Sequence, residues 1–239
     1  MDSQIEDIEC AYINKGTRHQ EVERVAIESH LSLYVKDEPI AEFDYSPGLT
    51  EQLVFGYLRS SGMISQLSDI TDIAFDSETC KVSLVDTKQS SSMPSSKRLE
   101  LTWDNLMKIR DLLLKNQKNH HATRGFHAGI IYEIQTGRWF SCEDIRRHNV
   151  VDKVVGYALQ EQFSFLDSIL FITGRLTSEL VSKSCQTGVP LIASLTVATS
   201  SGIELARQMN CTLLGSVSRD SCWLYHEGAL KIMTDTSHK

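Results

Sequence analysis

One dense polar run stands out in the chain: Glu143-Asp144-Ile145-Arg146-Arg147-His148-Asn149, continuing to Asp152 and Lys153. Asp144, His148 and Asp152 recur every four residues, so on a helix they would share one stripe, flanked by Arg147 and Lys153. A histidine between two carboxylates has its charged form favoured, which suits proton transfer or contact with an anion near neutral pH. The competing reading is a solvated face of charge pairs. Two further segments suit phosphate. Thr173-Gly174-Arg175-Leu176-Thr177 offers a glycine, a guanidinium and the free N–H groups of a helix start. The segment 196–202 offers Thr196, Thr199, Ser200 and Ser201 ahead of Gly202. Neither matches a Walker or dinucleotide-binding pattern, and the plainer role for Thr177 and for Ser200 or Ser201 is helix capping. His127, within Thr123-Arg124-Gly125-Phe126-His127, is a candidate of the same kind, against the alternative of a structural histidine.

Composition narrows the chemistry. A net charge of −7 argues against a nucleic-acid partner, since phosphate binding needs clustered Lys and Arg, and leaves room for a local basic pocket. No signal-peptide pattern and no apolar run of about 20 residues is present, so a cytoplasmic protein without membrane spans is expected. The six cysteines, Cys10, Cys80, Cys142, Cys185, Cys211 and Cys222, lie far apart with no C-x-x-C pair, so reduced thiols and no bound zinc are expected.

Strand and helix signals show how the candidates would be positioned. Leu31, Leu33 and Val35 alternate with polar residues as a half-buried strand does, and Thr50 caps a helix with Leu53, Val54, Tyr57 and Leu58 on one face, closed by Gly62. Strands follow at 69–75 and 81–85. The stretch 87–98 is serine-rich and reads as a loop or linker, and Thr102 caps a helix carrying Leu106, Ile109 and Leu113. Residues 115–120 read as an exposed connection. Beyond them strands alternate with single helices: a helix at 148–160, a strand at 168–173, a helix at 177–186, a strand at 189–197, a helix at 201–210 and a strand at 212–217. That order implies a largely parallel sheet covered by helices. The expected architecture is α/β (α+β overall), with a strand-rich domain over 1–120 and an α/β domain over 121–239.

Five segments in order resemble the formate dehydrogenase accessory protein (FdhD) family. The run 143–153 resembles its E-D-V-G-R-H-N-A-x-D-K motif, and 173–183 its S-G-R-x-S-x-E-x-V-x-K motif. Residues 196–206 are similar to S-A-P-T-S-L-A-V-E-L-A, 123–127 to T-G-G-x-H, and 56–64 to G-F-L-x-x-E-G-I-I. The resemblance implies a small N-terminal α/β domain and a C-terminal, cytidine-deaminase-like three-layer domain, assembled as a homodimer. It also implies sulfur transfer from a cysteine desulfurase to the molybdenum bis(molybdopterin guanine dinucleotide) cofactor of formate dehydrogenase. The nucleotide would be held by Gly174, Arg175, Thr199 and Ser200 and by the segment after Leu213-Leu214-Gly215, namely Ser216, Val217, Ser218 and Arg219. His127, Asp144, Arg147, His148, Asn149, Asp152 and Lys153 complete the motif residues.

This chain departs from the family at Arg124 and Arg146, where the motifs have glycine, at Ser61 for glutamate, and at Ser216 for phenylalanine. The family's C-G-x-C-G loop has no counterpart either, because the stretch 87–98 holds no cysteine. A hydroxyl cannot form a persulfide, so the usual sulfur route is closed. The reading that follows is a protein that binds a molybdenum guanine-dinucleotide cofactor or a guanine nucleotide without the thiol relay. The alternatives are sulfur transfer on another cysteine, Cys142, whose place before a helix start would lower its pKa, and a nucleotide-processing enzyme on the same fold.

Overall fold

A computed structural model describes residues 3–85 and 99–233; the serine-rich stretch 87–98 lies outside the described residues. The chain opens with a long hairpin, β1 (Ile5–Asn14) and β2 (Thr17–Ala26). They are joined by Lys15 and Gly16, both at positive φ, as a two-residue hairpin turn requires. Next come β3 (Ser29–Val35), β4 (Glu38–Tyr45), α1 (Thr50–Ser60), β5 (Ile70–Asp76) and β6 (Thr79–Leu84). These strands form a four-stranded sheet in the order β4-β3-β6-β5. The alternation in β3 buries Leu31, Leu33 and Val35 against Leu53, Val54 and Leu58 of α1. Thr50 does not cap α1: Leu49 holds the N-cap in the left-handed region, and the Thr50 hydroxyl lies 3.2 Å from that of Tyr45.

The remaining elements are β7 (Leu99–Thr102), α2 (Trp103–Lys115), α3 (Lys118–Thr123), β8 (His127–Glu133), β9 (Trp139–Asp144), α4 (Arg147–Gln160), β10 (Ser168–Ile172), α5 (Ser178–Gln186), β11 (Leu191–Ser194), α6 (Ser200–Gln208), β12 (Thr212–Gly215), β13 (Trp223–His226) and β14 (Leu230–Met233). A six-stranded sheet runs β13-β12-β11-β10-β8-β9. The alternating strand–helix pattern yields parallel pairing among β10, β11 and β12, while β8, β9 and β13 are antiparallel additions at the flanks. One face is covered by α4, α5 and α6 through Val151, Val154, Val155, Leu180, Val181 and Ala206. The other is covered by α2 and the β7–β14 ribbon through Leu106, Ile109, Leu113, Leu101 and Leu230. Although the expected division lies at residue 120, β7 and α2 thus pack with the C-terminal sheet, because their apolar faces match it and β7 pairs with β14.

The two bodies meet where α1 crosses α4. A Cβ on Gly56 would lie 1.7 Å from the Asp152 carbonyl oxygen, and one on Gly156 would lie 1.9 Å from that of Gln52. Each helix therefore seats its backbone against the other's glycine, an approach only glycine permits. This crossing fixes the N-terminal body against the helix that carries the polar motif.

Candidate functional site

In an α/β sheet the parallel strands deliver loops and helix N-termini to one end, where ligands bind. Here β10 runs into Thr173-Gly174-Arg175, β11 into Leu195-Thr196, and β12 into Gly215-Ser216. Hydrogen bonds lock the three loops together. The Ser194 hydroxyl donates to the Gly174 carbonyl (2.7 Å), the Ser216 N–H donates to the Thr196 carbonyl (2.8 Å), and the Val217 N–H donates to the Ser194 carbonyl (3.0 Å). Thr173 is tied to β8, its hydroxyl oxygen accepting the Ala128 N–H at 3.0 Å. Gly174 lies under Arg147: a Cβ there would come within 2.9 Å of the arginine's own Cβ.

A cleft of about 360 Å³ opens at this end of the sheet. Thr173, Leu195 and Thr196 line it from the strand ends, and Gln117, His120, Arg124, Phe126 and His127 line it from α3 and the start of β8. Among the described residues no carboxylate lines it, so a cleft in an acidic protein presents imidazole, guanidinium and hydroxyl groups. Arg124 ends α3 at φ 59, a left-handed position that explains why the family motif has glycine there. The His120 Nδ1 lies 2.8 Å from the Phe126 carbonyl and must donate to it. Burial pushes the His127 pKa below its usual value, the positive charges of Arg147 and His120 push it further, and Asp144 opposes them. This environment favours the neutral imidazole of His127.

The polar motif plays a different part from the expected one. Asp144 is the last residue of β9 and is not on the helix, so Asp144, His148 and Asp152 do not form one stripe. Its carboxylate, fully buried, accepts from Lys153 (2.7 Å), from the Ser46 N–H and hydroxyl (3.2 and 3.1 Å), from the Arg146 N–H (2.9 Å) and from Asn149 Nδ2 (3.1 Å). Asn149 also donates to the Asp44 carbonyl. Asp152, equally buried, pairs with Lys183 and accepts the Ser60 hydroxyl at 2.7 Å. Burial raises its pKa, with Lys183 acting against that. His148 faces neither carboxylate as a close partner: its Nε2 lies 3.6 Å from Glu179, and burial lowers its pKa. These residues clamp the β9–α4 corner onto the N-terminal body. Arg147 packs over Gly174, and its charge is the largest electrostatic influence of the motif on His127.

The surroundings of Cys142 do not favour the thiolate. It lies within β9, buried, where the thiol donates to the Val150 carbonyl, and burial pushes its pKa up to about 12. The helix it precedes starts at Arg147, too far along the chain to offset that loss of water. Among the helix starts, Thr199 rather than Ser200 or Ser201 is the cap of α6, its hydroxyl accepting the Gly202 N–H at 3.2 Å. Thr177 holds the N-cap position of α5 without a capping bond. Arg175, Ser200, Ser218 and Arg219 are exposed, and with Gly215, Ser216 and Val217 they lie outside the cleft lining. Gln117 and His120 escape the sequence reading, which treats 115–120 as a connection. Gln117 is the N-cap of α3 and His120 lies in its first turn, where Glu143 accepts the N–H groups of Asn119 and His120, both at 2.8 Å. No local pattern announces that bond. Among the described residues no cluster of His, Cys, Asp and Glu could hold a metal ion, and no helix is long and apolar enough to cross a membrane.

A family model described as the FdhD/NarQ family matches residues 26–98 and 85–231, the two segments overlapping in the serine-rich stretch. The sulfur carrier protein FdhD of Sulfolobus acidocaldarius is 28% identical over 244 residues, covering 93% of this chain and 96% of its own. That of Listeria monocytogenes serotype 4b is 29% identical over 251 residues, covering 86% and 91%. The crystal structure of a protein from Desulfotalea psychrophila, described as a formate dehydrogenase accessory protein, superposes with a TM-score of 0.80 at 26% identity. It covers 94% of this chain and 97% of that one.

Proposed function

Because the chain belongs to the FdhD/NarQ family, we propose that it binds the guanine-nucleotide part of a molybdenum guanine-dinucleotide cofactor and serves formate dehydrogenase maturation as a binder, without the cysteine relay. The observation that carries this reading is the cleft at the ends of β10 and β11, where His120, Arg124, His127, Thr173 and Thr196 converge with no carboxylate among them. Such a lining favours a phosphate-bearing ligand, since cationic and hydroxyl donors replace its hydration shell. A volume of about 360 Å³ suits one nucleotide head and is too small for a whole bis-dinucleotide cofactor. The cofactor enters as cargo, with the remainder lying outside the cleft.

Sulfur handling is read differently from the named relatives. The sequence has no cysteine between Cys80 and Cys142. Both of these thiols are buried with pKa values pushed up to about 12. A thiol held protonated is a poor nucleophile at neutral pH. A homodimer, a cysteine desulfurase and a molybdenum-dependent formate dehydrogenase are the partners that accompany this reading.

Calorimetric titration with GDP and GMP, with ADP as the comparison, tests it. Binding tighter than about 1 mM, worth roughly 4 kcal/mol, with preference for the guanine nucleotides is the expected result. Absence of heat at millimolar GDP and GMP overturns the reading.

A further inference from the structure

The N-terminal sheet carries a hydroxyl, an imidazole and a carboxylate in hydrogen-bonded series. Leu31, Leu33 and Val35 of β3 pack into the core with α1, so His30 and Ser32 stand on the opposite face of that strand. β4 pairs with β3 in a register that sets Asp44 directly across from His30. The His30 Nδ1 lies 3.2 Å from Asp44 Oδ1, and its Nε2 lies 3.4 Å from the Ser32 hydroxyl. An ionised carboxylate only accepts, so Nδ1 carries the proton and Nε2 is left as the acceptor beside Ser32. The hydrogen bond from His30 holds the Asp44 carboxyl below its usual range, and the Arg146 guanidinium adds to that against the effect of burial. Asp44 is also braced from behind: Arg146 Nη2 donates to its Oδ2 at 2.9 Å, and Asn149 Nδ2 donates to its backbone carbonyl at 2.8 Å. Arg146 stands where the family motif has glycine, so this brace comes from the chain's own departure from that motif. The His30 and Asp44 side chains are 41% and 43% exposed, which leaves the series open to a small molecule.

We propose that Ser32, His30 and Asp44 form an acyl-transfer site, separate from the nucleotide cleft, that hydrolyses activated acyl compounds such as aryl esters and thioesters. Ser32 is the nucleophile, His30 the general base, and Asp44 a positioning residue that fixes the imidazole tautomer. The Ser32 oxygen attacks the acyl carbon, and its proton passes to His30 Nε2. The bond from the acyl carbon to the leaving oxygen or sulfur then breaks, and the leaving group takes that proton from His30. A water molecule next gives a proton to Nε2 and its hydroxyl to the acyl carbon, and the Ser32 oxygen departs and recovers the proton. The 3.4 Å contact is that of an unliganded site, where such hydrogen bonds are long and tighten once substrate is bound. The substrate class follows from what the strand withholds. The Ser32 N–H already donates to the Glu78 carbonyl at 2.8 Å, so it cannot stabilise an oxyanion. Acyl groups on weakly basic leaving groups need that help least, whereas amides need it most.

The full-length chain is incubated with p-nitrophenyl acetate, nitrophenolate release is followed by absorbance, and the quenched protein is analysed by peptide mass mapping. The expected result is an acetyl group mapped to Ser32 and a turnover about tenfold or more above that of Ser32→Ala, whose rate reports the background from the other histidines and the lysines. His30→Gln should lose about 100-fold of the Ser32-dependent rate. Asp44→Asn should lower kcat with KM unchanged, because Asp44 touches His30 and not the ester, and Asp44→Glu should restore part of the loss. The mapping uses the wild-type chain alone, so it stands whether or not a variant folds. Wild-type turnover equal to that of folded Ser32→Ala, or acetyl groups found only on other residues, overturns the proposal.

Discussion

The Lys153 ammonium lies 2.7 Å from the Asp144 carboxylate, and neither side chain reaches solvent. Lys153 also donates to the Ser46 carbonyl at 2.8 Å, so one buried cation holds the end of β9, the start of α4 and the N-terminal body together. Removing one partner of such a pair leaves a buried charge without compensation, at a cost of about 3–5 kcal/mol. Lys153→Met and Asp144→Asn should each lower the urea midpoint accordingly, and the double variant should lose less than the sum of the two. Single variants within about 1 kcal/mol of wild type would show the pair to be energetically idle.

Gly56 meets backbone, which cannot swing aside as a side chain can. Gly56→Ala should cost about 3 kcal/mol or more, at the upper end of overpacking effects, because its methyl would fall 1.7 Å from the Asp152 carbonyl oxygen. Thermal unfolding followed by circular dichroism measures it, and an unchanged midpoint would mean that α1 and α4 do not cross here.

Glu133 gives an acid-side prediction. Burial disfavours its charge, but hydrogen bonds from Arg138, Thr136 and the Ser164 N–H outweigh that and hold its pKa at about 2. A folded-state pKa below the unfolded value stabilises the protein above about pH 4.5 and loses that contribution as pH falls toward 2. Glu133→Gln should therefore cost about 2 kcal/mol at pH 7, discounted for the half-exposed Arg138. The gap from wild type should close progressively below pH 4.5. A gap that stays constant down to pH 3 contradicts the assignment.

Arg124 separates binding from stability. Its φ of 59 is one that glycine adopts without strain. Arg124→Gly should leave the melting temperature unchanged or raise it by up to about 1 kcal/mol in stability, while weakening GDP binding several-fold through loss of a cleft cation. Unaltered affinity would move the ligand away from this wall of the cleft.

His127 supplies the pH dependence of the same site. Its pKa lies below the usual histidine value because of burial and the charges of Arg147 and His120, so it gains a proton only as pH falls below about 6.5. GDP affinity should then strengthen between pH 7.5 and 5.5 more in wild type than in His127→Gln. Comparing the two proteins removes the titration of the phosphate itself. Parallel pH profiles would exclude His127 from contact.

The sequence by itself determined what depends on neighbours along the chain. Alternation in 31–35 marked β3, Thr102 marked the start of α2 with a hydroxyl that accepts the Asn105 N–H, and the strand–helix succession after residue 168 marked the parallel strands. Five motifs in order carried the family resemblance that the comparisons bear out. Tertiary structure decided the rest. Asp144 takes Lys153 instead of His148 because β9 ends at Asp144 and α4 begins at Arg147, which turns the carboxylate toward Ser46 and away from the helix stripe. Cys142 is shut away from solvent because its strand is buried under α4, which proximity to a helix start conceals. The cleft exists because the Glu143 carboxylate captures the α3 N–H groups and brings His120 beside Thr173 and Thr196. Periodicity and caps are local consequences of backbone geometry, whereas the partner of a buried charge is set by whichever group the crossing helices and sheet bring within hydrogen-bond reach.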